Sequence, residues 1–459
     1  MPIHPSRLLG AVLLCLAAGQ ANAFCGFYVG KADANLFNKA SQVILVRSAG
    51  KTVISMLNDY RGELKEFALV VPVPQVLQRG QIHIGDKRMF ERIDAYSAPR
   101  LAEYYEDNPC ARRELELRRF DMAKAAAPSL GEAVPRQRSL GVTVEAAYTV
   151  GEYDIVILSA KESDGLETWL LRNGYRIPRG ASAALKPYIR QDMKFFVAKV
   201  NLKEQARTGL STLRPLQFAF ESEKFMLPLR LGMINADGPQ DLIAYVLTRS
   251  ARVEASNYRT VKLPANMDLP VHIRAEFTDF YKALFEREAR KAGHGVVFTE
   301  YFWDMSWCDP CAADPLSQDE LRQLGVFWLG GDAPQPMKGG VRAPMPPGQA
   351  ANVLLTRLHV RYDAEHFPED LVFTETRDRD NFQGRYILNH PYTGEIKCET
   401  AKGYVDGVRQ RRDNEAQNTA RLTGWSIEDV RKKMGPSPLK EPAPATPPAS
   451  DPWWKQIWK

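Results

Sequence analysis

The chain lacks the motifs by which the common hydrolases and nucleotide-binding enzymes are recognised. It has no Gly-x-Ser-x-Gly nucleophile elbow, no His-Glu-x-x-His zinc-binding helix and no glycine-rich phosphate-binding loop. Cysteine and histidine are scarce, with 6 and 7 residues among 459, which excludes a disulfide-dense scaffold. Acidic residues are interspersed among the basic ones and the net charge is only +6, so a nucleic-acid-binding surface is not expected.

Long apolar runs are missing after the first residues of the chain. The N-terminus carries Arg7, an apolar run from Leu8 to Ala18 and the small-x-small triplet Ala21-Asn22-Ala23, which together are typical of a cleaved signal peptide. We predict a signal peptide over residues 1–23 and a mature chain that begins at Phe24. No later run reaches the roughly 18 to 20 apolar residues of a transmembrane helix, so we expect a soluble periplasmic or secreted protein.

The cysteines that remain after removal of the leader lie in a compartment where disulfides form and persist. They are Cys25, Cys110, Cys308, Cys311 and Cys398. Because five is an odd number, at least one thiol is free or pairs between chains. We expect one disulfide between Cys25 and Cys110, which fastens the N-terminus, and a second that involves Cys308 or Cys311, with Cys398 as a candidate partner.

Patterns along the mature chain predict an α+β protein with mixed or antiparallel sheets and packed helices in two or three lobes. We place a β-rich lobe at 24–135, an α/β lobe at 142–265 and an α+β lobe at 266–435, which carries the Cys308 and Cys311 pair. Three β-branched runs between Val43 and Pro74 predict a meander of neighbouring strands. Residues 86–127 have a charged, helix-like pattern.

The last segment, 436–459, is rich in proline, alanine and serine and predicts an extended, disordered spacer. It ends in three indoles, Trp453, Trp454 and Trp458, which alternate with lysines. Such an end suits a membrane interface or an aromatic-binding groove on an envelope protein. The alternative is that these rings fold back onto an apolar patch of the same chain.

A series of motifs spans most of the mature chain. They are Phe24-Cys25-Gly26, Phe67 to Pro74, Ala98-Pro99-Arg100, Asn108-Pro109-Cys110, Trp169 to Tyr175, Trp307 to Cys311, and Leu355-Thr356-Arg357-Leu358 to Asp370-Leu371. In this order the motifs resemble those of the bacterial exported proteins grouped as domain-of-unknown-function family 2330. The resemblance implies export and an α+β architecture, and it implies no activity, because the family is defined by sequence.

The Cys308-Asp309-Pro310-Cys311 motif has the spacing of thioredoxin-like oxidoreductases, with Cys308 as nucleophile and Cys311 as resolving thiol. In those enzymes a helix follows the motif and its N-terminus stabilises the thiolate. Here Asp314-Pro315 interrupts that position, and a capping box from Ser317 to Glu320 predicts a later helix start. A structural disulfide is therefore favoured over redox catalysis.

Zinc binding is a second hypothesis for the same thiols. Cys308, Cys311, His390 and Cys398 contain the ligand atoms of a tetrahedral site. No second Cys-x-x-Cys accompanies the first, and an oxidising compartment competes for the thiols. The sequence therefore predicts no metal and no other cofactor.

A hydrolytic site is a third hypothesis, with Glu300 and Asp304 as acid and base on the strand before the cysteines. Two exposed carboxylates beside aromatic residues are more typical of a solvated strand end. His83, His272 and His359 lie in strand-like alternation and are interpreted as hydrogen-bonded structural residues. The favoured interpretation is a non-catalytic binding or structural protein of the envelope, with the oxidoreductase as the alternative.

Overall fold

A computed structural model describes the chain over residues 27–30, 38–57, 67–110, 144–159, 163–178, 180–208, 213–306, 309, 314–330, 352–396 and 401–439. Within these ranges the chain forms 20 strands and eight α-helices. The α+β prediction is therefore confirmed, and the sheets are mixed and antiparallel.

The strands follow one another along the whole described chain. In order they are β1 (Phe27–Gly30), β2 (Asn38–Ser48), β3 (Lys51–Leu57), β4 (Phe67–Val73), β5 (Ile82–Ile84), β6 (Arg100–Tyr105), β7 (Val144–Val150), β8 (Tyr153–Ser159), β9 (Lys194–Val200), β10 (Leu216–Glu221), β11 (Met226–Leu227), β12 (Ala236–Thr248), β13 (Arg252–Ala255), β14 (Arg259–Lys262), β15 (Met267–Leu269), β16 (Val296–Asp304), β17 (Leu354–Tyr362), β18 (Leu371–Thr376), β19 (Phe382–Gln383) and β20 (Arg385–His390).

The helices are concentrated in the middle and at the end of the described chain. They are α1 (Lys87–Ser97), α2 (Ser163–Arg172), α3 (Ala181–Arg190), α4 (Leu202–Thr208), α5 (Phe277–Ala292), α6 (Gln318–Gln323), α7 (Ala401–Thr423) and α8 (Ile427–Met434). Helix α6 begins at the predicted capping box, in which Ser317 accepts from the Glu320 amide and the Glu320 carboxylate accepts from the Ser317 amide.

The largest sheet has nine strands. Its path is β14-β16-β17-β12-β2-β3-β10-β5, and β19 pairs with β16. The central strand β2 runs parallel to β12 and antiparallel to β3. Its residues Val43 to Val46 are fully buried, because each face of the sheet packs against a separate apolar core.

A five-stranded sheet, β1-β4-β9-β8-β7, packs face to face with the large sheet. Alternate residues of β4 point to opposite sides. Leu69 and Val71 enter the core shared by the two sheets, where Phe196 of β9 stacks with Phe218 of β10 at 5.3 Å. Val70 faces outward and is covered by α2 and α3.

The C-terminal helices cover a small parallel sheet, β15-β20-β6. Phe280 and Leu284 of α5 pack against Tyr386 and Leu388 of β20. Helix α7 contacts β15, α5 and α8, and Trp425, which follows α7, packs edge-on against Phe280. This layer carries the cavity described below.

The predicted meander is correct for β2 and β3 and wrong for the third strand. Strand β4 lies in the five-stranded sheet between β1 and β9, because the free edge of β3 is occupied by β10. The helical prediction for 86–127 is correct for α1 but wrong at β6, where Pro99 ends the helical segment. Residues 111–143 lie outside the described ranges.

The predicted lobe boundaries, 24–135, 142–265 and 266–435, remain a prediction. The nine-stranded sheet takes strands from each of the three ranges: β2, β3 and β5 from the first, β10, β12 and β14 from the second, and β16, β17 and β19 from the third. In the part of the chain that is described, no helix is both long and apolar enough to cross a membrane.

Candidate functional site

A buried network of charged side chains lies on one face of the nine-stranded sheet. We call it the Glu300 network. Arg357, His359 and Arg361 alternate along β17 and therefore share a face. Glu300 of β16 accepts from Arg357 Nε at 2.6 Å and lies 2.7 Å from His359 Nδ1. Asp241 of β12 lies 3.2 Å from His359 Nε2 and accepts from Arg361 Nε at 2.9 Å.

Two helices complete the Glu300 network. Tyr281 of α5 donates to Glu300. Asp94 of α1 accepts from Arg357 Nη1 and from the Tyr245 hydroxyl, both at 2.6 Å. The network thus connects α1 and α5 to three strands of the sheet.

A β-bulge occurs at Glu300. The register between β16 and β17 shifts between Thr299 and Tyr301, so Glu300 is the additional residue that the opposite strand does not match. Phe298 lies opposite His359, so Glu300, two residues later, faces the same side of the sheet as His359. The interpretation of Glu300 as an exposed carboxylate is therefore wrong, since only 1% of it is accessible.

The Glu300 network is ionised. Burial by itself raises the pKa of Glu300, but the positive charges of His359 and Arg357 outweigh it and lower this pKa to about 2. Burial lowers the pKa of His359, but the carboxylates of Glu300 and Asp241 outweigh it and raise this pKa above its ordinary value. Each charged member thus faces an opposite charge at hydrogen-bond distance, an arrangement that stabilises packing.

A cavity of about 320 Å³ opens in the C-terminal layer. We call it the His272–Glu415 cavity. It is lined from four stretches of chain, namely 270–272, 389–393, 408–415 and 434–438. Its volume is at the lower end of the roughly 300 to 1,000 Å³ of small-molecule sites.

Two residues of the cavity wall, His272 and Arg411, carry buried polar atoms without partners in the described structure. Among the residues that the structure describes, neither ring nitrogen of His272 nor Nη2 of Arg411 has a hydrogen-bond partner, although all three atoms are buried. Most buried polar atoms in proteins are hydrogen-bonded, so each exception calls for an explanation. Burial also lowers the pKa of His272, which favours the neutral imidazole.

Helix α7 supplies the charged groups of the cavity. Arg411 and Glu415 are one turn apart and share a face, with Arg411 Nε at 3.7 Å from Glu415 Oε1. Burial raises the pKa of Glu415 to about 7, although the charges of Arg411 and Arg412 oppose this rise. Glu415 is thus a carboxyl group that gains or loses its proton near neutral pH.

Hydrogen bonds and ion pairs fix three side chains of the cavity wall, those of Arg411, Arg412 and His390. Arg411 Nη1 pairs with Glu106 Oε1 at 2.6 Å, which fixes the plane of the guanidinium. Arg412 Nη2 donates to the Gly435 carbonyl oxygen at 2.7 Å and so holds the end of α8. His390 lies at the rim, where its Nε2 is 2.8 Å from Glu103 Oε2 and its ring stacks on Tyr105 at 4.2 Å.

Most of the residues that the sequence marked lie outside the described ranges. These are Cys25, Cys308, Cys311, Cys398, Trp453, Trp454 and Trp458. Cys110 follows β6 in a turn, where its amide donates to Asn108 Oδ1 at 2.9 Å. Asp304 accepts from the Ser306 amide at 2.9 Å. The described residues contain no group of three or more potential metal ligands, and His390 is engaged by Glu103.

The histidines differ from one another. His359 is hydrogen-bonded and buried as expected, whereas His83 is exposed on β5. His272 lies in a 3₁₀ helix that follows Pro270 rather than in a strand, and its ring nitrogens have no partners in the described structure. The four-residue spacing of Arg411 and Glu415, which puts both on one face of a helix, was the signal available in the sequence.

Comparisons with known proteins place most of the chain in one family. The family model for uncharacterized proteins conserved in bacteria, DUF2330, matches residues 19–374. Of the four stretches that line the His272–Glu415 cavity, only 270–272 lies within that span. A search of curated proteins finds no match.

One solved structure was matched over part of its length. It is a mutated baculovirus P35 after caspase cleavage, with 10% identity, 46% of this chain and 66% of that chain covered, and a TM-score of 0.26. A similarity of this size supports no conclusion about fold or function.

Proposed function

The chain belongs to the DUF2330 family of uncharacterized bacterial proteins, and we propose that it is an exported envelope protein that binds a small polar ligand without transforming it. The ligand site is the His272–Glu415 cavity. The observation that carries the proposal is the set of buried nitrogen atoms on His272 and Arg411 that the described protein leaves without partners. A bound ligand supplies those partners and removes the cost of about 1 to 3 kcal/mol that each unsatisfied group carries.

The Glu300 network supports a non-catalytic interpretation. A general acid or base must reach a substrate, but Glu300 is buried and its oxygens are used by Arg357, His359 and Tyr281. We therefore assign the network a structural role, in which it connects α1 and α5 to the sheet. The sequence-based hypothesis of a hydrolase that uses Glu300 is not carried forward.

Export is the part of the proposal that rests on the sequence. The leader over residues 1–23 predicts cleavage before Phe24. Fractionation of the bacterial host, followed by N-terminal sequencing of the recovered protein, tests this. We expect a periplasmic or secreted chain that begins at Phe24, and an intact leader in the cytoplasmic fraction would contradict export.

Binding is tested with mixtures of small probes. Saturation-transfer NMR on the mature chain uses one mixture of organic acids, one of amines and one of neutral polyols. Thr393→Trp places an indole at the exposed rim of the cavity, and Thr374→Trp, on exposed β18, is the matched control. We expect at least one class to bind to the wild type and to the control but not to Thr393→Trp. If no class binds to the wild type, the proposal is wrong.

The segment after α8 is proposed as a tether to the cell surface. Pro436 and Pro438 belong to the cavity wall, so a truncation that removes residues 440–459 keeps both of them. Loss of the protein from the envelope fraction, with probe binding unchanged, is the expected result. An unchanged distribution would show that Trp453, Trp454 and Trp458 make no required contact.

A further inference from the structure

We propose that the ligand of the His272–Glu415 cavity is a small organic carboxylate, and that it binds together with one proton, which is taken up by Glu415. This inference rests on the proposed function, since it names the chemical class of the ligand at the same site. Two observations support it. The unpartnered nitrogen atoms of His272 and Arg411 are mostly hydrogen-bond donors, and Glu415 lies beside Arg411.

The unpartnered atoms of these two wall residues are chiefly hydrogen-bond donors. Nη2 of Arg411 carries only donor hydrogens, and the neutral His272 ring offers one donor and one acceptor. A ligand that satisfies them must present acceptors. Hydrogen bonds from an arginine to a carboxylate are among the strongest that proteins make, because both groups are charged.

Arg411 is oriented for this contact. Its Nη1 pairs with Glu106 Oε1 at 2.6 Å, so the guanidinium cannot turn freely, while its Nη2 is buried in the cavity wall without a partner in the described structure. Only about a quarter of the Arg411 side chain is exposed, with a relative accessibility of 24%.

A ligand carboxylate in the cavity would lie beside the carboxylate of Glu415, and this is why we expect Glu415 to take up a proton. The side chain of Glu415 is only 5% exposed, and burial raises its pKa to about 7. Two carboxylates that share a site cannot both remain ionised at low cost. A ligand carboxylate thus raises the pKa of Glu415 further, and the protonated Glu415 becomes a donor.

Other charged and titratable groups lie around Glu415, and each is named here with its effect on the pKa of Glu415 or with its own partner. Arg411 and Arg412 of α7 lower its pKa, whereas Asp268 of β15 and Glu106 after β6 raise it. The 3₁₀ helix contributes His272, and the rim contributes His390 with its partner Glu103. Lys433 of α8 is paired with Glu276.

Isothermal titration calorimetry with three acids tests the ligand class. The probes are acetate, propanoate and benzoate, and the controls are acetamide, propanamide and benzamide, which keep the shape and lose the charge. We expect at least one acid to bind at least tenfold more tightly than its amide. Equal binding of acid and amide, or binding of none of the three acids, overturns the inference.

The same titrations at pH 6 and pH 8 test the proton. With a pKa of about 7 for free Glu415, linkage predicts uptake of about 0.9 proton at pH 8 and about 0.1 at pH 6, and about tenfold weaker binding at pH 8. Proton uptake follows from the dependence of the heat on the ionisation enthalpy of the buffer. The absence of uptake at pH 8 contradicts the role of Glu415.

Two variants separate the groups involved. Glu415→Gln is permanently neutral, so we expect it to bind the acid without proton uptake and with the same affinity at pH 6 and pH 8. Arg411→Gln is expected to weaken acid binding at least tenfold. Arg409→Gln, on the exposed side of the same helix, is the matched control and is expected to behave as wild type.

The outcomes distinguish the inference from the proposed function. If amines or polyols bind in the NMR mixtures and Thr393→Trp removes that binding, the cavity is a binding site and only the carboxylate class is wrong. If no mixture contains a binder, both proposals fail. If Arg411→Gln unfolds, the Glu415→Gln titration still decides whether the proton enters with the acid.

Discussion

Glu300 is the anion that two buried cations, Arg357 and His359, both contact. The Glu300→Gln variant keeps the shape of this side chain and removes its charge. Glu300 Oε2 accepts from Arg357 Nε at 2.6 Å, and Oε1 lies 2.7 Å from His359 Nδ1. In the variant, Arg357 keeps Asp94 and His359 keeps Asp241, but each loses its buried anion on β16. Removal of one partner from a buried pair costs about 3 to 5 kcal/mol.

The pKa of Glu300 gives the same magnitude independently. It lies at about 2, roughly two units below that of an unfolded glutamate, and each unit corresponds to about 1.4 kcal/mol. The loss of unfolding free energy at pH 7 should therefore be about 3 kcal/mol. Because this pKa is lowered on folding, the contribution is complete above about pH 4.3 and is lost as the pH falls toward 2.

Urea unfolding at pH 7, pH 5 and pH 3, followed by tryptophan fluorescence and circular dichroism, measures this difference. Glu221→Gln is the matched control, since that carboxylate is exposed on β10 and 3.8 Å from Lys51, and we expect a change within about 0.5 kcal/mol. The gap between wild type and Glu300→Gln should narrow from pH 5 to pH 3. A gap below about 1 kcal/mol at pH 7, or one that does not change with pH, would refute the reasoning.

Further predictions concern the backbone and the thiols. Gly325→Ala should lower the unfolding free energy by about 1 to 3 kcal/mol in urea titrations, because φ is +94° and a Cβ would lie 2.7 Å from a valine methyl of β3. Gly407→Ala should raise it by about 0.5 to 1 kcal/mol, since in the described structure no atom other than the surrounding helix backbone and the two chain neighbours lies within 4 Å of that Cβ; a loss would contradict this. Peptide mapping without reductant should recover Cys25 bonded to Cys110, and a different pairing would reject that link. A Cys308 disulfide that titrates below about −300 mV is structural, whereas a higher potential would favour the oxidoreductase.

Elements with strong local signals were predictable. The aromatic face of α5 repeats at helical spacing, and Gly293 ends the helix with φ of +83°. The capping box at Ser317 places the start of α6. These features depend on residues three or four positions apart, so the sequence contains all the information that they need.

The position of Glu300 could not be predicted. Alternation along β16 gives no indication of the bulge at this residue, which appears only when β17 is paired with it. His272 was likewise misplaced in a strand, because its 3₁₀ turn packs against β20 and α8, which come much later in the chain.

The sequence by itself determined the α+β class, the membership of the family and the helices and strands whose patterns are local. Only the tertiary structure decided that β2 pairs with β12 across about 200 residues, that Glu300 is buried between two cations, and that His272 and Glu415 line one cavity. The physical reason is that pairing, burial and charge neutralisation depend on neighbours in space, which a linear pattern does not specify.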